Sequence, residues 1–138
     1  MPAGSARHKL LFIDDEQEIV DIIKTRLQGH GYEVHTLLSG ERAVERASEL
    51  APEVILLDHR MPGPSGSEVC RQLKADPQTQ HIPVIMFTAA MEHGLEAECI
   101  NAGAETVIYK PFVADLLEAL KVILSGGKIQ HDPDEDIF

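Results

Sequence analysis

Basic residues are scarce in this chain: 12 Lys and Arg stand against 23 Asp and Glu, a formal net charge of -11. That deficit removes the sequence-independent attraction to phosphate backbones that supplies most non-specific nucleic-acid affinity, so direct binding to DNA or RNA is not expected. Cysteine is scarcer still. Cys70 and Cys99 stand alone, without C-x-x-C spacing, and read as reduced thiols packed in helices. No apolar run approaches the ~20 residues of a membrane helix, and no secretory h-region opens the chain. A soluble cytoplasmic protein without membrane insertion is the expectation. Nucleotide motifs are missing too: Gly126-Gly127-Lys128 lacks the upstream glycine of a P-loop, and no G-x-G-x-x-G follows an apolar run. His30, His35, His81 and His93 show no metal-like i, i+4 pairing and read as solvated or capping residues, and His59 falls on a loop beside the candidate site.

What the chain does contain is alternation. Its 138 residues suit one ordinary domain. Leu10 to Ile13 is a compact apolar run, followed by helical spacing of Ile19, Ile22, Ile23 and Leu27 up to Gly29 and Gly31. Glu33 to Leu38 reads as a second strand, and Ser39 or Gly40 opens a helix carrying Ala43, Val44, Ala47 and Leu50. Val54 to Leu57 is apolar on consecutive positions, as expected of a strand covered on both faces. A long loop rich in proline and glycine follows Asp58. Val69, Cys70 and Leu73 mark a third helix, Pro83 to Phe87 a fourth strand closed by Thr88, and Met91 to Ala102 a fourth helix. Gly94 inside that helix costs roughly 1 kcal/mol relative to alanine, and Gly103 is its natural C-terminal cap. Thr106 to Tyr109 and the stretch from Val113 to Leu124 complete five strand-helix pairs. Such alternation implies a parallel sheet with helices on both faces.

The charged and hydroxyl residues fall at strand ends. Asp14-Asp15, Asp58, Thr88 and Lys110 each close or follow an apolar run, which gathers them at one edge of a parallel sheet. Singly, each has a plainer reading: Asp15 is first of all an N-cap, Asp58 the start of an Asx-turn, Thr88 a cap, Lys110 a surface charge. Chance would scatter them over both edges. Two adjacent carboxylates ask for a cation between them, and hard oxygen ligands are what Mg2+ selects. A carboxylate can also accept a phosphoryl group, and that transfer asks a protein mainly for positioning and charge.

The segments Phe12-Ile13-Asp14-Asp15-Glu16, Leu56-Leu57-Asp58-His59-Arg60-Met61-Pro62 with Gly66, Val84-Ile85-Met86-Phe87-Thr88-Ala89, Gly103-Ala104 and Lys110-Pro111-Phe112, in that order, resemble the receiver domains of bacterial two-component response regulators. The resemblance spans residues 8 to 125, leaving 126 to 138 as a flexible acidic tail. It implies a flavodoxin-like (βα)5 three-layer sandwich with strand order 2-1-3-4-5, and a phosphorylation switch rather than an enzyme acting on a separate substrate. Asp58 would be the phosphoacceptor. Asp14, Asp15, Asp58 and the backbone carbonyl of Arg60 would hold Mg2+ or Mn2+, with Thr88 and Lys110 sensing the phosphoryl group and a cis bond preceding Pro111. The donor would be a phosphohistidine on a sensor histidine kinase or phosphotransfer protein. An unnamed downstream protein or a phosphorylation-dependent homodimer would read the result.

Two positions depart from the family pattern. Val107 occupies the place where many receivers carry a switch aromatic, and the aromatic here is Tyr109, two residues further along the same strand face. Either backbone movement of the fourth helix alone carries the signal, or Tyr109 serves as the substitute. Other readings stay open behind the switch: a relay intermediate passing the group onward from Asp58, or a partner-docking receiver without chemistry. A haloacid-dehalogenase-type phosphatase is disfavoured because Arg60 stands where its second aspartate belongs. A flavodoxin is disfavoured because Asp14-Asp15-Glu16 replaces a phosphate loop.

Overall fold

A computed structural model describes residues 7–129. The elements run β1 (Lys9–Ile13), α1 (Gln17–Gly29), β2 (Glu33–Leu37), α2 (Ala43–Leu50), β3 (Val54–Leu57), α3 (Gly66–Ala75), β4 (Val84–Thr88), α4 (Leu95–Asn101), β5 (Thr106–Tyr109) and α5 (Val113–Leu124). All five strands are parallel, in the order β2-β1-β3-β4-β5. The parallel sheet expected from the alternation and the flavodoxin-like strand order implied by the resemblance are therefore the fold.

Strand alternation sorts the core into two layers. Leu10, Phe12, Val54, Leu56, Ile85 and Phe87 pack on α1 and α5, which contribute Val20, Leu27, Leu116 and Leu120. Leu11, Ile13, Ile55, Leu57, Val84 and Met86 pack on the other face, beneath α2, α3 and α4. Burial on both faces explains why β3 and β4 are apolar at every position up to their ends. Both cysteines are free and buried, Cys70 in α3 and Cys99 in α4.

Helix starts are where the sequence reading needs correction. Glu16, not Asp15, takes the N-cap position of α1, and no side chain caps it. Helix α2 begins at Ala43 rather than Ser39 or Gly40, because a turn closed by the Ala43 N–H on the Gly40 carbonyl at 3.2 Å comes first. Helix α4 begins only at Leu95. Gly94 is its N-cap at φ 84°, a left-handed conformation glycine adopts without steric penalty, so it shortens the helix instead of weakening its interior. Gly103 caps the far end, its N–H bonding the Ile100 carbonyl at 3.0 Å. After α5 the chain turns at Gly126. Of the expected tail, residues 130–138 lie outside the described residues.

Candidate functional site at the C-terminal edge of the sheet

Register carries the strand-end residues to one place. Ile13 pairs with Leu57 and Leu57 with Met86, and each ladder runs one residue further: the Asp14 N–H donates to the Leu37 carbonyl at 3.0 Å and the Asp58 N–H to the Ile13 carbonyl at 2.9 Å. At the other side Thr88 pairs with Tyr109, and the Lys110 N–H donates to the Thr88 carbonyl at 2.9 Å. Asp14, Asp58, Thr88 and Lys110 thus come together at one edge. Continuing the alternation, Asp14, Asp58 and Lys110 share the parity of Phe12, Leu56 and Ile108, on the α1/α5 side. Thr88 and Tyr109 share the parity of Met86 and Val107, on the α4 side.

The charged core of the site is buried. Asp14 is 0% and Asp58 4% exposed, and the Lys110 side chain is 10% exposed. The Lys110 ammonium donates to Asp14 Oδ2 and lies 3.3 Å from Asp58 Oδ2. Burial pushes the Asp14 carboxyl above its ordinary pKa, and the bond from Lys110 only partly opposes it. For Lys110 burial acts downward, but the bond it donates to Asp14 and the charge of Asp58 outweigh it and hold the ammonium above its usual value. Burial thus dominates at Asp14, whereas at Lys110 the two carboxylates that share its charge dominate.

The backbone fixes the acids. Asp58 Oδ1 accepts the His59 N–H at 2.8 Å and Asp14 Oδ1 accepts the Glu16 N–H at 3.0 Å. Helix α3 closes behind Asp58, where the Gly66 N–H donates to the His59 carbonyl at 2.8 Å. A Cβ on Gly66 would sit 2.2 Å from the Asp58 carbonyl oxygen, so only glycine permits this approach. Thr88 is fully buried, and its hydroxyl oxygen accepts the Ala90 N–H at 3.1 Å.

Among the described residues, the carboxylates whose oxygens come within 4.8 Å of one another are those of Asp14, Glu16 and Asp58. Three convergent hard oxygen donors with a single ammonium beside them fit a small divalent cation. Asp15 is half-buried and lies outside that set, whereas Glu16 was missed in sequence because it reads as part of the first helical turn. Val107 packs against the α2–α4 layer, and Tyr109 donates its hydroxyl to Glu96. The Lys110-Pro111 bond is cis. Arg60 extends its side chain to Glu92. His59 is not a solvated residue: its side chain is 15% exposed, with Nε2 3.8 Å from Glu98.

Among the described residues no helix is long and apolar enough to cross a membrane. Residues 10–121 match the response regulator receiver domain family. The chain is 34% identical over 121 residues to the phosphate regulon transcriptional regulatory protein PhoB of Rhizobium meliloti, covering 87% of this chain and 53% of that protein. It is 39% identical over 124 residues to the response regulator PleD of Caulobacter vibrioides, covering 90% of this chain and 27% of PleD. It therefore spans about half or less of these longer relatives. The solved structure of the Vibrio cholerae chemotaxis protein CheY4 superposes with a TM-score of 0.77 at 31% identity, over 84% of this chain and 98% of that one. With the strand order, the strand-end acids and lysine and this family match in agreement, the chain belongs to the response regulator receiver domains, the signalling domains of two-component systems.

Proposed function

We propose that Asp58 accepts a phosphoryl group from a phosphohistidine and that the resulting acyl phosphate changes the partner-binding surface around α4, β5 and α5. The observation that carries this reading is the Asp58 carboxylate itself, 4% exposed, with one oxygen on the His59 N–H and the other 3.3 Å from the Lys110 ammonium. In the transfer the N–P bond of the donor breaks, its electron pair staying on the imidazole nitrogen, and a bond forms between phosphorus and an Asp58 oxygen. Lys110 then offers its charge to a phosphoryl oxygen instead of the bare carboxylate. Thr88 turns its hydroxyl proton to another.

Asp14, Asp15, Asp58 and the Arg60 carbonyl would hold Mg2+ or Mn2+, with Glu16 added by its convergence on Asp14 and Asp58. The cation would neutralise charge between these acids and an incoming phosphoryl oxygen. Val107, Tyr109 and Pro111 flank the sensors and belong to the output side. The unit taking part is residues 8–125, with 126–138 as a tail. In the cytoplasm it accepts the group from a sensor kinase or phosphotransfer protein, then engages a downstream protein or a second phosphorylated copy, and catalyses only its own phosphorylation and dephosphorylation.

Incubation with Mg2+ and acetyl phosphate, followed by intact-mass measurement, tests the chemistry. A gain of one phosphoryl mass that disappears in Asp58→Asn is expected. No gain, or a gain that survives the substitution, sinks the reading.

A further inference from the structure

Three carboxylates of the β4–α4 segment are each held by a residue from another element. Arg60, two residues past Asp58, donates to Glu92. Tyr109, one residue before Lys110, donates to Glu96. Ser67, at the start of α3, donates to Glu98 Oε2 at 2.7 Å, and His59 Nε2 stands 3.8 Å from the same oxygen. The helix they hold is only 7 residues long, with Leu95 and Cys99 as its buried anchors. A helix that short has little stability of its own, so outside contacts decide where it rests.

Three of the four anchors adjoin the phosphorylation chemistry. His59 and Arg60 follow the acceptor directly, and Tyr109 stands beside Thr88 in register on the α4 side. Thr88 also ties down the loop, through the Ala90 N–H bonded to its hydroxyl oxygen at 3.1 Å. The three clasps differ in weight. Arg60 and Glu92 have side chains 70% and 43% exposed, and such surface pairs contribute little. Ser67 is 2% exposed, which makes its bond to Glu98 the firmest. Burial, reinforced by Glu96, raises the Tyr109 phenol above its ordinary pKa, so it remains a proton donor at any physiological pH.

We propose that Glu92, Glu96 and Glu98 form a three-point latch that holds α4 in place while Asp58 is unphosphorylated, with the Tyr109–Glu96 contact as its release point. This rests on Asp58 being the phosphoacceptor. A phosphoryl group there replaces the single carboxylate charge of Asp58 by about two, a net gain of about one beside the neighbouring acids, and offers Arg60 a stronger acceptor than Glu92. When the Thr88 hydroxyl turns to that group, Ala90 loses its acceptor and the loop carrying Glu92 is freed at its root. Glu96 then parts from Tyr109, and α4 shifts. The missing switch aromatic at Val107 is thereby replaced by a hydrogen bond rather than by a ring moving inward.

Hydrogen exchange of the full chain, read by mass spectrometry, tests the latch. Without phosphate donor, Tyr109→Phe and Glu96→Ala each speed exchange of the α4 amides by roughly two- to tenfold, the effect of one lost hydrogen bond. Glu96→Gln, which keeps an acceptor, stays near wild type. The double variant Tyr109→Phe/Glu96→Ala exchanges no faster than either single, and β1 and β3 amides do not change. Unaltered α4 exchange in both singles, or an additive double variant, overturns the latch. With Mg2+ and acetyl phosphate, wild-type α4 exchange rises towards that of Tyr109→Phe. A full phosphoryl mass gain with unchanged α4 exchange overturns the release while leaving Asp58 as acceptor. No mass gain overturns the acceptor itself, and release by phosphorylation falls with it.

Discussion

Lys110 serves two carboxylates at once, donating to Asp14 and standing 3.3 Å from Asp58. The pair of acids therefore lacks half of the countercharge it needs, at a place almost closed to water. Such an arrangement favours any additional cation and penalises the resting protein, which is a usual trade between stability and function.

Relieving that crowding should make the protein sturdier. Asp58→Asn removes one buried negative charge while keeping the shape, and we expect it to raise unfolding stability by about 1 kcal/mol in metal-free buffer. Lys110→Met strands the acids and should lower stability by about 3 kcal/mol. Urea unfolding followed by far-ultraviolet circular dichroism measures both. A less stable Asp58→Asn would show that the acids do not repel.

Metal affinity should rank the acids by convergence and burial. Asp14→Asn is expected to weaken Mg2+ binding by at least about tenfold, and Glu16→Gln, on an exposed side chain, by no more than about fivefold. Asp15→Asn decides between the family pattern and the observed set. A loss as large as that of Asp14→Asn places Asp15 on the metal, and no loss leaves the role to Glu16. Isothermal titration calorimetry is suitable, since the chain has no Trp to report binding.

Gly66→Ala should behave as a severe core change. The new methyl would stand 2.2 Å from the Asp58 carbonyl oxygen and 2.7 Å from His59 Cα, both backbone, so neither can swing aside. A loss of about 3 kcal/mol in unfolding stability is expected, with slower phosphorylation by acetyl phosphate. Stability within error of wild type would contradict the close approach.

The cysteines should be inert in the folded protein. Burial pushes the thiols of Cys70 and Cys99 up to about 11, leaving about one part in a thousand as thiolate at pH 8. Ellman's reagent should react at pH 8 only after urea is added. Because the folded pKa lies above the unfolded one, the two thiols contribute stability in full below about 9, and it is lost as pH rises from there towards 11. Rapid labelling of native protein at pH 8 would refute this.

Much of the sheet was legible because β1, β3 and β4 are apolar on consecutive residues and because the chemistry-bearing residues follow directly at their ends. Periodicity says where strands stop, and parallel register does the rest. Helix starts were less legible: Gly94 reads as a flaw within a helix, but its positive φ makes it the boundary. The acids that hold α4 could not be read at all. Glu92 meets Arg60 across 32 residues and Glu98 meets Ser67 across 31, and each looks locally like one more solvated glutamate on an acidic helix. Glu16 was hidden for a related reason, since its direction depends on how the chain leaves β1.

The parity of the strand ends has a consequence for how this domain can diverge. Asp14, Asp58 and Lys110 continue the alternation of strand positions that face α1 and α5, and Thr88 and Tyr109 that of positions that face α4. Changes among the residues around the acids can retune how long a signal persists, and changes on the outer faces of α4, β5 and α5 can alter which listener hears it. A lineage could therefore acquire a new conversation partner without resetting its clock.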